Sequence, residues 1–338
     1  MRFLTELHMA HNKLSVLDHR IGMFNKLIVL DASYNEIESI DDAMGIMTHL
    51  ATLNLSHNRL SDLPATCRTL KGLTNLDLSY NKCVVVPPVI GQLMHLTNLN
   101  VSHNQVNELN SKIFALSRSL KTLYLEHNEI PSVPTTLFNH THLTEVNCSN
   151  NALAEVASGF SELILLKNLY LSHNRIVHVA DSLNQMSVLD MLDLTDNHIE
   201  ELPEDLSGMV GLRKLWLVHN RNREVPKALV GIPNLLHWNM SWNHIPLTKG
   251  LDLIGLKGKK KRAAIAASEA KAMSEQKSRQ LMTFYIDDMG SQMTEMKTVQ
   301  SMIECLEFRF TDLSKHRELT LEEEALREQD EVERAALP

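Results

Sequence analysis

The sequence has little of what enzymes, membrane proteins and disulfide-stabilised domains are built from. Its 338 residues include only 4 cysteines and 12 glycines, and no segment approaches the roughly 18 consecutive apolar residues of a membrane-spanning helix. It contains no glycine-rich phosphate loop of the form GxxxxGK[ST], no catalytic pair of carboxylates and no nucleophile beside a base. We therefore expect a protein that is not an enzyme, has no cofactor or metal, takes no small-molecule substrate and does not span a membrane.

The cysteines and the N-terminus favour a reducing compartment. Cys67, Cys83 and Cys148 stand where apolar residues recur, and we expect them to be small buried side chains. The opening stretch MRFLTELHMAHN lacks the apolar core of a secretory signal. We expect a cytoplasmic protein, with the cytoskeleton or a cilium as candidate locations ahead of the nucleus. The net charge of −8 gives no reason to expect nucleic acid as a partner.

One sequence unit recurs along most of the chain. Residues 166–176, LKNLYLSHNRI, fit the pattern LxxLxLxxNxI/L, and a single unit of this kind cannot bury its own apolar side. The asparagine of the pattern recurs at Asn12, Asn35, Asn58, Asn81, Asn104, Asn128, Asn151, Asn174, Asn197, Asn220 and Asn243. Nine of the ten intervals are 23 residues and one, from Asn104 to Asn128, is 24. This signature at a period of about 20–29 residues predicts a leucine-rich repeat solenoid.

The predicted fold is α/β, a horseshoe-shaped solenoid with a parallel sheet on its concave face, followed by a long C-terminal α-helix. We number the repeats units 1 to 11 after their asparagines. In each unit the leucines of the LxL core should point inward, with the residue between them on the concave face. The asparagine should hydrogen-bond turn backbone. Prolines that follow an asparagine by six residues suit an irregular convex segment. They are Pro64, Pro87, Pro134, Pro203 and Pro226.

We divide the chain into a solenoid at residues 1–247, a closing segment and basic linker at 248–262, and a helical extension at 263–338. The first repeat begins without a cap, so we expect a shortened chain, a partner over this end, or residues 1–14 acting as a cap themselves. Asn222 stands where an apolar residue is expected, and the extra residue of the 24-residue unit should bulge its convex side between Ala115 and Leu120.

The I/L-x-x-L-P spacing before these prolines resembles the intracellular leucine-rich repeats of Scribble, erbin and the Ras-scaffold and Ras-suppressor proteins. The resemblance covers about residues 1–247, and the matching residues are structural. It implies a non-enzymatic scaffold or regulatory subunit that binds proteins on its concave face.

The concave residue four positions before each asparagine is where the repeats differ. The first five units have His8, Asp31, Asn54, Asp77 and Asn100, and the later units have Tyr124, Asn147, Tyr170, Asp193, Trp216 and Asn239. Because exposed tyrosine and tryptophan commonly anchor protein interfaces, we predict a protein-binding patch on units 6 to 11. Its residues are Tyr124, Glu126, Tyr170, Arg213, Lys214, Trp216, Val218 and Trp242. The alternative is that these aromatic residues pack on one another across strands.

Six histidines stand directly before a repeat asparagine. They are His11, His57, His103, His127, His173 and His219. His103 and His127 should be adjacent, and the other gaps should be two units wide. Since a row along a surface does not converge on one ion, we interpret these histidines as solvated turn residues rather than metal ligands.

The composition changes at residues 257–262, KGKKKR, after which helix-forming residues continue without proline until Pro338. Apolar residues then recur in steps of three and four around one polar position, Gln292. They are Met282, Tyr285, Met289, Met296, Val299, Ile303, Leu306, Phe310 and Leu313. This pattern predicts a coiled-coil seam of about five heptads, for a second copy, another chain or the solenoid itself. The basic run is a solvated linker, a nuclear localisation signal, or a contact for acidic lipid or nucleic acid.

Our first functional hypothesis is a non-enzymatic scaffold or adaptor in a hetero-complex of proteins. The concave face would hold one protein partner, and the C-terminal helix would anchor the chain in a larger assembly, such as the cytoskeleton or a ciliary axoneme. The alternative is a regulatory subunit that directs a phosphatase or small GTPase in signalling. A third hypothesis is a nucleic-acid-linked role through the basic run.

Overall fold

A parallel sheet of eleven strands runs through all the units of the computed structural model, which describes residues 3–116 and 119–245. Each strand pairs with the strand of the next unit. The strands are Glu6–His8, Val29–Asp31, Thr52–Asn54, Asn75–Asp77, Asn98–Asn100, Thr122–Tyr124, Glu145–Asn147, Asn168–Tyr170, Met191–Asp193, Lys214–Trp216 and His237–Asn239. The predicted solenoid with a parallel sheet is confirmed. We call the solvent-facing side of this sheet the concave face and the opposite side the convex side.

The register of the sheet follows directly from the repeat period. Leu30 pairs with Leu53, Leu53 with Leu76, and Leu76 with Leu99. Because side chains alternate along a strand, these leucines are buried while the residues beside them are half-buried on the concave face. Burial of one leucine contributes roughly 1.5–3 kcal/mol. A unit gains that contribution only when its neighbours cover it, so the units are stable as a stack.

The repeat asparagines form the predicted ladder beneath the turns. Nδ2 of Asn81 donates to the carbonyl oxygens of Leu55, Leu78 and Ser79 at 2.9, 3.0 and 3.2 Å. Its Oδ1 accepts the N–H of Leu60 at 2.9 Å. Asn81 thus links the backbone of its own unit to that of the preceding unit. The expectation that these side chains satisfy buried turn backbone is confirmed.

The convex side is built mainly of short 3-10 helices. In the described residues these are His19–Phe24, Asp42–Ile46, Ala65–Thr69, Pro88–Gln92, Thr135–Asn139, Ser158–Glu162, Asp181–Gln185 and Lys227–Gly231. Pro64, Pro87, Pro134 and Pro226 each come directly before one of them. Proline lacks a backbone donor and fixes φ, so it fits the extended residue that begins such a turn. Bends and turns follow Pro203 instead.

Two pairs of strands on the convex side have only two residues each. Val16–Leu17 pairs with Ser39–Ile40, and Glu155–Val156 pairs with His178–Val179. These short parallel pairs add backbone hydrogen bonds between neighbouring units away from the main sheet.

The 24-residue unit has a different convex segment, as its extra residue predicts. A short α-helix, Ile113–Leu116, replaces the 3-10 helix. The ring of Phe114 on this helix is buried and meets the ring of His140 edge to face at 5.7 Å. In the next units Phe138 and Phe160 meet edge to face at 5.3 Å. Large rings therefore fill the convex core where the repeat length changes.

The three cysteines of the solenoid are free thiols in the core. Cys67, Cys83 and Cys148 are all buried. Burial raises the pKa of each thiol to about 12, so they are protonated and inert at neutral pH. The prediction that they act as small buried side chains is confirmed.

Asn222 places a polar side chain at an apolar core position. It is fully buried, and both its N–H and its Nδ2 donate to Oδ1 of Asn243, at 3.0 and 2.9 Å. Its own Oδ1 is buried without a hydrogen-bond partner. The last units therefore depart from the frame of the earlier ones.

Several predictions concern residues beyond the described part of the chain. The closing segment and basic linker at 248–262, the helical extension at 263–338 and the seam from Met282 to Leu313 lie outside the described residues. Within the described residues, no helix has the length and apolar character that crossing a membrane requires.

Candidate functional site

The concave face presents three columns of side chains. The first column lies six residues before each asparagine, the second four before and the third two before. Most strands bury their middle residue and leave the first- and second-column residues half-buried. The placement of the second column on the concave face is therefore as predicted.

Aspartate and asparagine in the second column support the backbone of their own unit. In each case a side-chain oxygen accepts the N–H of the third-column residue, at 2.8–3.0 Å. The pairs are Asp31 and Ser33, Asn54 and Ser56, Asp77 and Ser79, Asn100 and Ser102, Asn147 and Ser149, Asp193 and Thr195, and Asn239 and Ser241. This hydrogen bond joins the end of the strand to the turn, so the polar residues of this column belong to the repeat frame.

Tyr124, Tyr170 and Trp216 replace this supporting residue in alternate units, 6, 8 and 10. Their rings have no side-chain oxygen at the position where the carboxylate or amide accepts, so the supporting bond is not made there. All three rings are half-buried. Asn147 and Asp193 lie between them on the intervening strands, and no ring contact joins the three in the described part of the chain. They do not pack on one another across strands.

Tyr124 and Tyr170 flank a carboxylate that sequence reasoning missed. The Tyr124 hydroxyl donates to Oε1 of Glu145 at 3.0 Å, and Nδ2 of Asn168 donates to Oε2 at 3.3 Å. Burial, followed by the Glu145 hydrogen bond, raises the pKa of Tyr124 to about 12. Burial and the charges of Glu145 and Asp193 raise the pKa of Tyr170. Both tyrosines are therefore neutral hydrogen-bond donors at physiological pH.

Glu126 occupies a third-column position where most units have serine or threonine. Its Oε2 is buried and has no hydrogen-bond partner. Burial raises the pKa of this carboxyl, an effect opposed by the backbone amide of Glu126 itself and by His127. Tyr124 and Tyr170 thus flank Glu145, and the charge of Glu126 acts on Tyr124 from the third column.

The columns of units 4 to 9 are acidic. They contain Asp77, Glu126, Glu145 and Asp193, and neither lysine nor arginine. The ion pairs of the described residues involve none of these four carboxylates. The middle of the concave face therefore has uncompensated negative charge.

Four other predicted residues of the patch lie in unit 10, on the C-terminal side of the acidic columns. Lys214 and Trp216 occupy the first and second columns, and Val218 occupies the third. Arg213, just before the strand, is paired with Asp190 at 3.5 Å. Unit 10 therefore presents basic and apolar groups beside the tyrosine cluster.

Trp242 does not lie in the concave columns, which corrects the prediction. It directly precedes Asn243 and has a positive φ of 59°. The residue before the repeat asparagine has a positive φ in every unit. The ring of Trp242 meets His219 edge to face at 5.2 Å. The sequence carries a signal for this location, because Trp242 stands directly before a repeat asparagine, as the six histidines do.

A continuous aromatic stack occupies this turn position in units 1 to 6. The histidines have the expected spacing, and His11, His127, His173 and His219 are exposed. Tyr34 and Tyr80 fill the gaps in this half, so the interpretation of these histidines as separate turn residues is wrong. The rings are stacked in the order His11, Tyr34, His57, Tyr80, His103 and His127, with centroids 3.9–4.3 Å apart. All six residues have φ between 50° and 56°. Among the described residues, no group of three histidine, cysteine, aspartate or glutamate side chains is arranged to hold a metal ion.

Comparison with known families agrees with this geometry. The leucine-rich repeat family profile matches residues 2–60, 28–83, 48–106 and 164–221. The matched segments, residues 2–106 and 164–221, are similar to leucine-rich repeats. Such repeats typically form non-enzymatic modules for protein interaction, and the matching family indicates no catalytic activity. No curated protein sequence matches the chain.

Solved leucine-rich repeat structures share the solenoid. A leucine-rich repeat protein of Leptospira interrogans superposes with a TM-score of 0.70 and 28% identity, over 76% of this chain and 66% of that one. The functional domain of InlJ from Listeria monocytogenes gives 0.60 and 24%, over 72% and 50%. The plant peptide hormone receptor RGFR1 in complex with RGF2 gives 0.55 and 24%, over 72% and 48%. The chain thus spans between 48% and 66% of the length of these structures.

Proposed function

We propose that this leucine-rich repeat solenoid is a non-enzymatic scaffold or adaptor that holds a protein partner on the concave face of units 6 to 10. Leucine-rich repeat proteins generally mediate protein–protein interactions. The observation that carries the proposal is the replacement of the supporting residue by Tyr124, Tyr170 and Trp216.

These three replacements work against the stability of the repeat frame. Each removes an intramolecular hydrogen bond of the kind that contributes about 0.5–1.5 kcal/mol. Each also places a half-exposed ring on a surface where it contacts no other ring. At Tyr124 the hydroxyl bond to Glu145 offsets part of this loss, but at Tyr170 and Trp216 folding does not account for the choice of residue. Tyrosine and tryptophan are the side chains that most often dominate the energy of protein interfaces, so a partner accounts for it.

The spacing of the rings fits an extended contact along the solenoid. Strands are about 4.8 Å apart, so rings in alternate units recur about every 9.6 Å. A partner segment that runs across the strands would meet Tyr124, Tyr170 and Trp216 in succession, with the small polar residues Asn147 and Asp193 between them.

The adaptor role adds a second contact through the predicted coiled-coil seam from Met282 to Leu313. In this proposal the seam ties the solenoid to another chain of a hetero-complex in the cytoplasm, at the cytoskeleton or in a cilium. If residues 281–316 stay monomeric and unstructured when mixed with captured partners, this second contact is absent.

The concave site is tested by capture of partners with the full chain, followed by quantitative mass spectrometry. The triple variant Tyr124→Asn, Tyr170→Asn, Trp216→Asn restores the residue type of the repeat frame, so we expect it to fold and to lose the partners of the native chain.

A matched control separates loss of the site from loss of apolar surface. Ile164, Leu165 and Val188 are exposed outside the strands, in turns that follow 3-10 helices. Their replacement by asparagine should leave the captured partners unchanged. If the concave variant keeps the same partners as the native chain, the proposed concave site is wrong.

A further inference from the structure

The tyrosine cluster of units 6 to 8 has the chemistry of a site for one cationic side chain. Two neutral tyrosines, two strands apart, stand on either side of Asn147, whose side chain is short. Glu145 lies beside them in the first column and Glu126 in the third. At about 9.6 Å, two strand steps leave room between the rings for one flat group stacked against both.

The unpartnered oxygen of Glu126 shows that the cluster lacks a donor. A buried carboxylate oxygen without a hydrogen bond is costly and is normally matched by a donor. The Tyr124 hydroxyl and the Asn168 amide both bond Glu145. The side chain of Ser102 and the backbone amide of Glu126 already interact with the Glu126 carboxylate, and its Oε2 still has no partner.

The surrounding charge excludes an anion and favours a cation from outside the solenoid. Asp77 and Asp193 extend the negative charge on either side of Glu126 and Glu145, and in the described residues no lysine or arginine pairs with any of them. A metal ion does not fit, because no three ligands of this region converge.

We propose that this cluster binds an arginine side chain of the partner protein, stacked between Tyr124 and Tyr170 and hydrogen-bonded to Glu126 and Glu145. The inference rests on the proposed concave binding function and names the group that the site recognises. Arginine fits better than lysine because its planar guanidinium stacks on aromatic rings and presents several donors to carboxylates at once. Lysine offers a compact, strongly hydrated charge that stacks poorly.

A peptide selection tests the inference without knowledge of the natural partner. Random peptides displayed on phage are selected on the full chain, and the peptides that depend on Trp216 are synthesised with a fluorescent label. We expect these peptides to contain an arginine whose replacement by citrulline, a neutral side chain of the same shape, weakens binding about tenfold or more. Replacement of that arginine by lysine should also weaken binding.

Variants of the solenoid test whether the arginine of the peptide binds at Glu126. Glu126→Gln keeps the shape of the side chain, removes its charge and should weaken the peptides about tenfold or more. Glu155→Gln removes the same charge from an exposed convex residue and should leave the affinity unchanged. Circular dichroism of both variants verifies that they are folded.

The possible results separate this inference from the proposed function. Peptides that depend on Trp216 but contain no required arginine would overturn the arginine site and leave the concave binding surface standing. Equal losses with Glu126→Gln and Glu155→Gln would show attraction to net charge alone, and full affinity with lysine would show a general cation site. Either result overturns the inference. A selection that enriches no peptide contradicts both the inference and the proposed function.

Discussion

The two halves of the solenoid use aromatic rings in opposite ways on the same frame. In units 1 to 6 the rings lie at the turn position before the asparagine, and each covers the face of the next from His11 to His127. The second column of units 2 to 5 has only aspartate and asparagine, which support the backbone. The stack ends at His127 in unit 6, and in units 6, 8 and 10 Tyr124, Tyr170 and Trp216 occupy the concave column without touching one another.

This difference distinguishes rings that stabilise the folded solenoid from rings that are available to contact a partner. A residue with positive φ is strained unless it is glycine or, to a lesser degree, asparagine or aspartate. The stacked histidines and tyrosines have this backbone conformation, and their mutual contacts, worth about 0.5–1.5 kcal/mol per pair, offset the strain. On the concave face the rings gain no ring contact and displace the supporting hydrogen bond, which only Tyr124 replaces, through its hydroxyl bond to Glu145.

The strongest test of the shared frame is removal of its asparagines. Asn81→Ala in the first half leaves the buried N–H of Leu60 without its acceptor, while the carbonyls of Leu55 and Leu78 keep Asn58 and Asn104 as donors. One buried group left unmatched costs about 1–3 kcal/mol, so we expect a loss of about that size in the free energy of unfolding. Guanidinium denaturation of the full chain, followed by circular dichroism, measures it.

Asn197→Ala makes the same change in the second half, where the hydrogen bonds are equivalent. Both variants should lose similar stability. A much smaller loss for Asn197→Ala would mean that the two halves differ in their frame as well as in their surface.

Tyr80→Asn tests the stack. The ring of Tyr80 is stacked on His57 at 4.0 Å and on His103 at 3.9 Å, whereas Asn150 shows that asparagine adopts the same turn conformation in unit 7. The substitution removes two ring contacts without adding backbone strain, so we expect a loss of about 1–3 kcal/mol. Denaturation of the full chain measures the loss, and an unchanged midpoint would show that the stack contributes nothing to stability.

Tyr170→Asn makes the same substitution in the concave column and should have the opposite sign. It restores the side-chain oxygen that accepts the third-column N–H in neighbouring units, as Asn147 does for Ser149. We expect a gain of about 0.5–1.5 kcal/mol in stability, together with weaker partner binding. Destabilisation comparable to that of Tyr80→Asn would mean that Tyr170 serves the fold, and the proposed concave site would lose its main support.

The repeat frame, meaning the strands, the buried apolar positions and the asparagine turns, could be predicted because its pattern occurs eleven times in the sequence. All eleven units repeat the asparagine, and all keep apolar residues at the leucine positions except at Asn222, so the same requirement for burial and for turn hydrogen bonds recurs in each. The proline positions and the buried cysteines followed from that frame.

The side chains that distinguish the halves were predicted only in part. Tyr34, Tyr80 and Trp242 share the position of the six histidines but not their residue type, so the recurring histidine alone does not predict the stack or the place of Trp242. The alternation along a strand places Glu145 on the concave face. Its bond to Tyr124 depends on side-chain reach between units, which no single repeat encodes. The seam from Met282 to Leu313 stays a prediction.

The smallest expected effect is a pH dependence of folding stability. It arises from a histidine of the aromatic stack and not from the concave face of units 6 to 10. Burial, followed by the neighbouring His127 and His57, lowers the pKa of His103. The folded chain therefore binds this proton less readily than the unfolded chain, whose histidine has its ordinary pKa near 6.5. The resulting stability is present above about pH 6.5 and is lost as the pH falls through the lowered pKa of the folded state.

The variant His103→Tyr isolates this contribution, because tyrosine already occupies the stack at Tyr34 and Tyr80 and the ring contacts can persist. We expect the unfolding midpoint of the native chain to fall more between about pH 7.5 and pH 5.5 than that of the variant. The control His142→Gln, at an exposed residue outside the stack, should behave like the native chain. Because His103 keeps part of its surface in contact with solvent, the effect is modest. If His103→Tyr and the native chain follow the same pH profile, the stacked histidines titrate without consequence for folding, and the stack acts through ring contacts alone.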